Sequence, residues 1–156
     1  MRRLLCGMMT MVVLAGCAAA ATEGAPAAAP ETLAFAPALN VDLAAMQRMD
    51  GGLYVRDVRV GGGRTVGRGD EVAVRYATWL PDGTMMDANV APAAPREFRL
   101  GERQVIRGWD QGVAGMRVGG QRQLVVPPSL GYGSRPVGNI PPNATLVFLV
   151  EVVSAR

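Results

Sequence analysis

The run Val105-Ile106-Arg107-Gly108-Trp109-Asp110-Gln111-Gly112-Val113 places an aliphatic pair and a glycine before a tryptophan at the mouth of a short helix. Further on stand Tyr132-Gly133 and the string Ile140-Pro141-Pro142-Asn143-Ala144-Thr145-Leu146-Val147-Phe148. The chain contains no histidine, and all 16 of its basic residues are arginine. That excludes histidine acid–base catalysis, Ser–His or Cys–His nucleophiles, histidine-ligated zinc and a lysine Schiff base. The chemistry left to it uses carboxylates, hydroxyls, backbone groups or an apolar cavity.

Taken singly, most of the candidate residues have an ordinary structural role open to them. Trp109 on the apolar face of a helix is core in most proteins, as are Ile140 and Phe148. Tyr76 on the buried face of a strand can be packed with its hydroxyl bonded. Asp87, after two methionines, can serve a turn or a cap. Tyr132 differs: between Gly131 and Gly133 it gains little from packing and is presented outward. Only the joint order of these residues points to a site.

The elements that must position them read as short strands. Leu53 to Val58 is one, ended by Gly61-Gly62-Gly63. Glu71 to Leu80 is the clearest, with Val72, Val74 and Tyr76 on one face and Arg75 on the other. Pro81-Asp82-Gly83 is a turn, because proline fixes φ and glycine accepts positive φ. Met85 to Asp87 and Glu97 to Leu100 are extended, separated by a proline-punctuated loop. Ile106, Trp109, Val113 and Met116 recur at helical spacing and predict one helix over Arg107 to Met116. Its glycines each cost about 1 kcal/mol relative to alanine, so it forms only when docked on a sheet. Gln121 to Val126 and Leu146 to Ser154 supply two more strands. The expected fold is α+β, a half-open antiparallel β-sheet wrapped around one short α-helix.

In this order, from Gly51 to Arg156, the motifs closely resemble the FKBP-type peptidyl-prolyl isomerases. The resemblance implies rotation of X–Pro bonds, for which a catalyst needs no nucleophile. It needs a water-poor cavity that favours the twisted amide and a few donors on the carbonyl. It also implies roles. Tyr76, Phe98, Val105 and Ile106 would form the wall, the last with its backbone N–H as a donor. Asp87 would stand at the rim and Trp109 at the floor. The Tyr132 hydroxyl would bond the ligand carbonyl, with Ile140 and Phe148 closing the side. Tyr76, Asp87, Trp109 and Tyr132 would carry catalysis. No cofactor and no metal are implied. The chain departs from the family at Met86, a substrate-wall position usually phenylalanine, and at Arg96, where an aromatic often sits. Gln104 stands where a glutamate is often seen. Weaker binding of macrolide inhibitors is expected from these changes.

The N-terminus reads Met1-Arg2-Arg3, an uncharged apolar stretch and Leu14-Ala15-Gly16-Cys17, the layout of a secretory signal with a bacterial lipobox. Residues 1–16 are then a lipoprotein signal peptide and Cys17 the lipidation site, with Ala18 favouring the periplasmic side of the outer membrane. An uncleaved membrane helix is the alternative. Cys6 would leave with the signal, so no disulfide is expected. Residues 17–38 read as a lipidated flexible linker, 39–50 as an N-terminal extension and 51–156 as the isomerase domain. Without Arg2 and Arg3, 14 of the 16 arginines face 13 acidic residues, a balance that makes no case for nucleic acid. The expected partners are proline-containing unfolded or partly folded envelope proteins, met by a monomer. The alternative function is a non-catalytic proline-segment binding module or holdase chaperone.

Overall fold

A computed structural model describes residues 27–156. The expected signal peptide, Cys6 and the expected lipidation site Cys17 lie outside the described residues. The strands are β1 (Gln47–Arg48), β2 (Tyr54–Arg59), β3 (Glu71–Trp79), β4 (Met85–Asn89), β5 (Arg96–Arg99), β6 (Gln121–Val126) and β7 (Leu146–Ala155). The α-helix α1 spans Arg107–Gly112, and single 3₁₀ turns punctuate the rest. All strand pairs are antiparallel, in the order β1-β2-β6-β7-β3-β4, with β5 sharing the β3 edge beside β4. This is the half-open sheet over one short helix that the patterning implied.

Period-two alternation sorts the sheet into two faces. Val72 and Val74 of β3, Leu124 and Val126 of β6, and Leu146, Phe148, Val150 and Val152 of β7 are buried with Trp109, Val113 and Met116 in the main core. On the opposite face Tyr54, Val125 and Val147 form a smaller cluster with Met46.

That second face is covered by the N-terminal arm, which corrects the flexible-linker reading of 17–38 for its described part, residues 27–38. Phe35, Leu39, Val41 and Leu43 pack against the cluster. The Tyr54 hydroxyl donates to Glu31 at 2.6 Å, and the Ala36 N–H donates to the Pro81 carbonyl at 2.7 Å. Composition alone underweighted Phe35: one aromatic on an apolar sheet face anchors an otherwise low-complexity stretch. The 39–50 segment turns out to be 3₁₀ turns followed by the two-residue strand β1.

The helix is shorter than the pattern to Met116 suggested. Gly115 takes φ +78, and the chain turns to exchange backbone hydrogen bonds with Val66. The Arg122 Nη1 donates to the carbonyls of Gly112 and Ala114, while Nε and Nη2 donate to the Asp57 carboxylate at 2.6 and 3.0 Å. Val113 and Met116 keep their inward positions, so periodicity reported burial correctly and overstated helix length. Gly108 and Gly112, one turn apart, explain the glycine content. A Cβ on either would meet β6 side chains, Val126 at 2.5 Å and Leu124 at 2.7 Å. The helix lies on the sheet only because those Cβ atoms are missing. Among the described residues no helix is long and apolar enough to cross a membrane.

Candidate active site

Trp109 is set by this close docking. It is 4% exposed and enclosed by three rings: Tyr76 edge-on at 5.0 Å, Phe148 edge-on at 5.5 Å and Phe98 tilted at 5.8 Å. Edge-to-face packing of this kind is favourable beyond the area it buries, and it holds the indole still. The strand-to-helix loop before it is pinned by Asp110, whose carboxylate accepts from the Gly101 and Arg103 N–H groups. Gln104 accepts from the Arg99 N–H at 2.9 Å, so its amide does loop-holding work that needs no charge.

Above the indole lies a cavity of about 100 Å³ lined by Tyr76, Thr78, Asp87, Arg96, Val105, Ile106, Trp109, Tyr132, Ile140 and Phe148. The strands converge on it from separate parts of the chain. Tyr76 and Thr78 come from the inner face of β3. Their β4 neighbour Asp87 lies opposite Thr78 in the register and reaches diagonally to accept the Tyr76 hydroxyl at 2.6 Å. Burial, then the hydrogen bond and charge of Asp87, push the Tyr76 phenol up to about 12. Tyr76 therefore stays neutral, a fixed donor to Asp87, throughout the physiological range.

Tyr132 is 36% exposed, and its hydroxyl bonds no described residue. The Gly131 and Gly133 N–H groups are tied back to Pro127 and Pro128, so the ring projects from a braced turn. The loop that follows closes on itself through a Val137–Ile140 bridge, and the Asn143 N–H donates to the Gly133 carbonyl at 2.7 Å. These bonds press Ile140 onto the cavity. Among the described residues nothing accepts the Ile106 N–H, and the buried Trp109 indole N–H also lacks an acceptor. A buried unpaired donor costs about 1–3 kcal/mol. A fold that tolerates one on a cavity wall leaves a hydrogen bond open for a bound group.

Eight of the ten expected substrate-contacting residues therefore meet at one cavity. Two do not line it. Phe98, buried, backs Trp109 from behind. Met86, half-buried, packs against the same core but is left unpaired at a bulge, where Thr78 pairs with Asp87 and Trp79 with Met85, and it does not reach the cavity. Thr78, 2% exposed, was missed, although it sits two residues beyond Tyr76 on the same strand face. Arg96, noted only as a departure, is part of the lining. Five of the chain's eight aromatic side chains lie at or behind this cavity, while the rest of the core is largely aliphatic. No cluster of three or more histidine, cysteine or acidic residues suited to a metal occurs among the described residues.

A family model described as FKBP-type peptidyl-prolyl cis-trans isomerase matches residues 62–153. The FK506-binding protein of Neisseria meningitidis serogroup B is 43% identical over 104 residues, covering 66% of this chain and 95% of that protein. FK506-binding protein 4 of Neurospora crassa is 47% identical over 105 residues, 67% of this chain. This chain spans only 22% of that longer relative. Among solved structures, FkpA from Escherichia coli is similar with a TM-score of 0.65 at 38% identity, covering 72% of this chain and 52% of that one.

Proposed function

The chain belongs to the FKBP-type peptidyl-prolyl cis-trans isomerase family, and from that premise we propose that it accelerates X–Pro bond rotation in unfolded or partly folded envelope proteins. The observation that carries the reading is the aromatic cavity floored by Trp109, with donors at its edge. Its volume, about 100 Å³, is far below the roughly 300–1,000 Å³ of a drug-sized site. It takes a proline ring and leaves the flanking peptide on the rim.

Amide resonance sets a barrier of about 18–20 kcal/mol to rotation about the C–N bond. Twisting the bond removes that resonance and makes the nitrogen more amine-like. A dry, aromatic cavity favours this less polar geometry over the planar one. The Tyr132 hydroxyl and the Ile106 N–H would hold the carbonyl while the proline ring rests on the Trp109 indole. The Asp87–Tyr76 pair keeps the cavity edge rigid and sets its polarity. No bond to the enzyme forms, and no proton leaves the substrate.

The finer parts of the reading rest on sequence. Leu14-Ala15-Gly16-Cys17 supports a lipid anchor through Cys17 on the periplasmic side of the outer membrane, with the monomeric domain as the working unit. Replacing Cys17 with alanine should abolish acyl labelling and release the protein from membranes. Macrolide inhibitors should bind weakly, because Arg96 brings a solvated cation to the rim. Met86 is not among the lining residues, so the expectation rests on Arg96.

The deciding experiment is a protease-free proline-exchange measurement on a protein that keeps residues 27–156, since Glu31 and Phe35 belong to the folded unit. Exchange of an X–Pro peptide should be accelerated, and a chelator should not change the rate. A folded protein that binds the peptide without accelerating exchange would instead be a proline-segment binding module.

A further inference from the structure

Strand β5 alternates like any strand, so Arg96 and Phe98 share a face. Their partners across the ladder are Val74 and Val72, both buried in the main core. Phe98 follows that face inward onto Trp109. Arg96, two residues earlier, follows it to the cavity edge and lines the opening beside Tyr132 and Asp87. A cation thus occupies the exposed end of a strand face whose next residue inward, Phe98, is buried, and it stands at the opening. No described carboxylate forms an ion pair with it. Asp87 at the same opening already accepts the Tyr76 hydroxyl on one oxygen. The cavity has room for little beyond a proline ring, so the residues flanking the proline must cross the rim where this guanidinium lies.

We infer that Arg96 makes the enzyme charge-selective, favouring prolyl segments that carry a carboxylate next to the proline. This rests on the proline-exchange reading above and deepens it. A guanidinium offers a carboxylate two parallel donors and charge attraction together. At a separation of about 6 Å in a near-aqueous dielectric, the charge alone changes binding by about threefold. It disfavours an ammonium by a similar factor, so peptides with glutamate and lysine before proline should differ about tenfold.

The test uses the full chain with Glu-Pro, Leu-Pro and Lys-Pro peptides of otherwise identical sequence. Both kcat/KM for exchange and Kd by nuclear magnetic resonance titration are measured. The expected result is a Glu-over-Lys ratio of about ten that falls to unity or below in Arg96→Gln, where Asp87 is the charge left at the opening. Arg96→Lys should retain most of it, and molar salt should erase it through screening. Arg135→Gln, which alters a cation of the loop after Tyr132 that does not line the cavity, should leave it intact. A charge-blind wild type, a preference surviving Arg96→Gln, or one lost with Arg135→Gln would overturn the inference. If no peptide exchanges, the Kd series decides. A Glu preference lost in Arg96→Gln keeps the selectivity while the isomerase reading falls. Charge-blind binding, or none, overturns both.

Discussion

Gly108→Ala is the substitution for which helix propensity and tertiary packing give opposite signs. In an isolated helix the change is stabilising by about 1 kcal/mol. In this fold the new Cβ would lie 2.5 Å from Val126 Cγ1, 2.9 Å from Cγ2 and 3.3 Å from Cβ. Restoring ordinary contact at 3.4 Å requires a separation about 0.9 Å greater than the shortest of these. Val126 cannot swing aside: it is β-branched, fully buried and held in β6 between β2 and β7. The helix must lift instead, and Trp109, the next residue, lifts with it. Overpacking of this kind costs about 1–3 kcal/mol, which outweighs the propensity gain and leaves a net loss of up to about 2 kcal/mol. Urea unfolding followed by Trp fluorescence should show a lower midpoint at unchanged slope. Proline exchange should fall in the same protein, because the cavity floor has moved. Gly62→Ala, with nothing within 4 Å, is the control and should change neither. A Gly108→Ala protein stabilised by about 1 kcal/mol with unaltered exchange would refute the claim that the missing Cβ sets the helix on the sheet.

Other expectations follow from the same geometry. Tyr132→Phe removes one hydrogen bond worth about 0.5–1.5 kcal/mol, so exchange should slow by roughly tenfold at most with the melting temperature unchanged; complete loss would make Tyr132 more than a carbonyl donor. The Tyr76 phenol, pushed up to about 12 from 10.0, stabilises the fold in its neutral form. That stability is fully present below the unfolded value and is lost as pH rises through the folded one. Asp87→Asn removes the partner charge and should lower the Tyr76 titration in ultraviolet difference spectra; no movement would mean that burial alone sets it. Phe35→Ala should destabilise by about 1–3 kcal/mol, less than the roughly 3–5 of a fully buried phenylalanine, and raise amide exchange in residues 30–49; an unchanged unfolding midpoint would mean that the arm does not contribute to the fold. The Tyr54 hydrogen bond and, more weakly, Arg48 hold the Glu31 carboxyl below its usual range. The contribution of that contact to arm docking is therefore present above the ordinary glutamate value and fades as pH falls through the lowered one, which amide exchange against pH should register first in residues 30–49.

Much was written locally. β3, β6 and β7 were legible because alternation over six or more residues leaves one register that buries the valines. The Pro81-Asp82-Gly83 turn was legible because its backbone demands are carried by the residues themselves, and Gly83 takes φ +91. The ordered motifs from Tyr76 to Phe148 marked the cavity residues before any contact was known. Other features depend on what comes to lie opposite. Helix α1 stops at Gly112 because Arg122 and Val66, distant in sequence, claim the groups a further turn would use. Its glycines look like defects until Val126 and Leu124 are placed beneath them. Phe35 looks like one aromatic in a tether until the outer sheet face supplies Tyr54, Val125 and Val147. Met86 and Asp87 are adjacent in sequence, yet a bulge in the β3–β4 ladder leaves Met86 unpaired while Asp87, opposite Thr78, reaches the cavity. Thr78 and Arg96 became lining residues only when β3, β4 and β5 paired along one edge. Backbone conformation and face alternation are short-range consequences of side-chain sterics, so sequence alone determined them. Which surface a face meets is a long-range outcome of packing, and that only the tertiary structure decided.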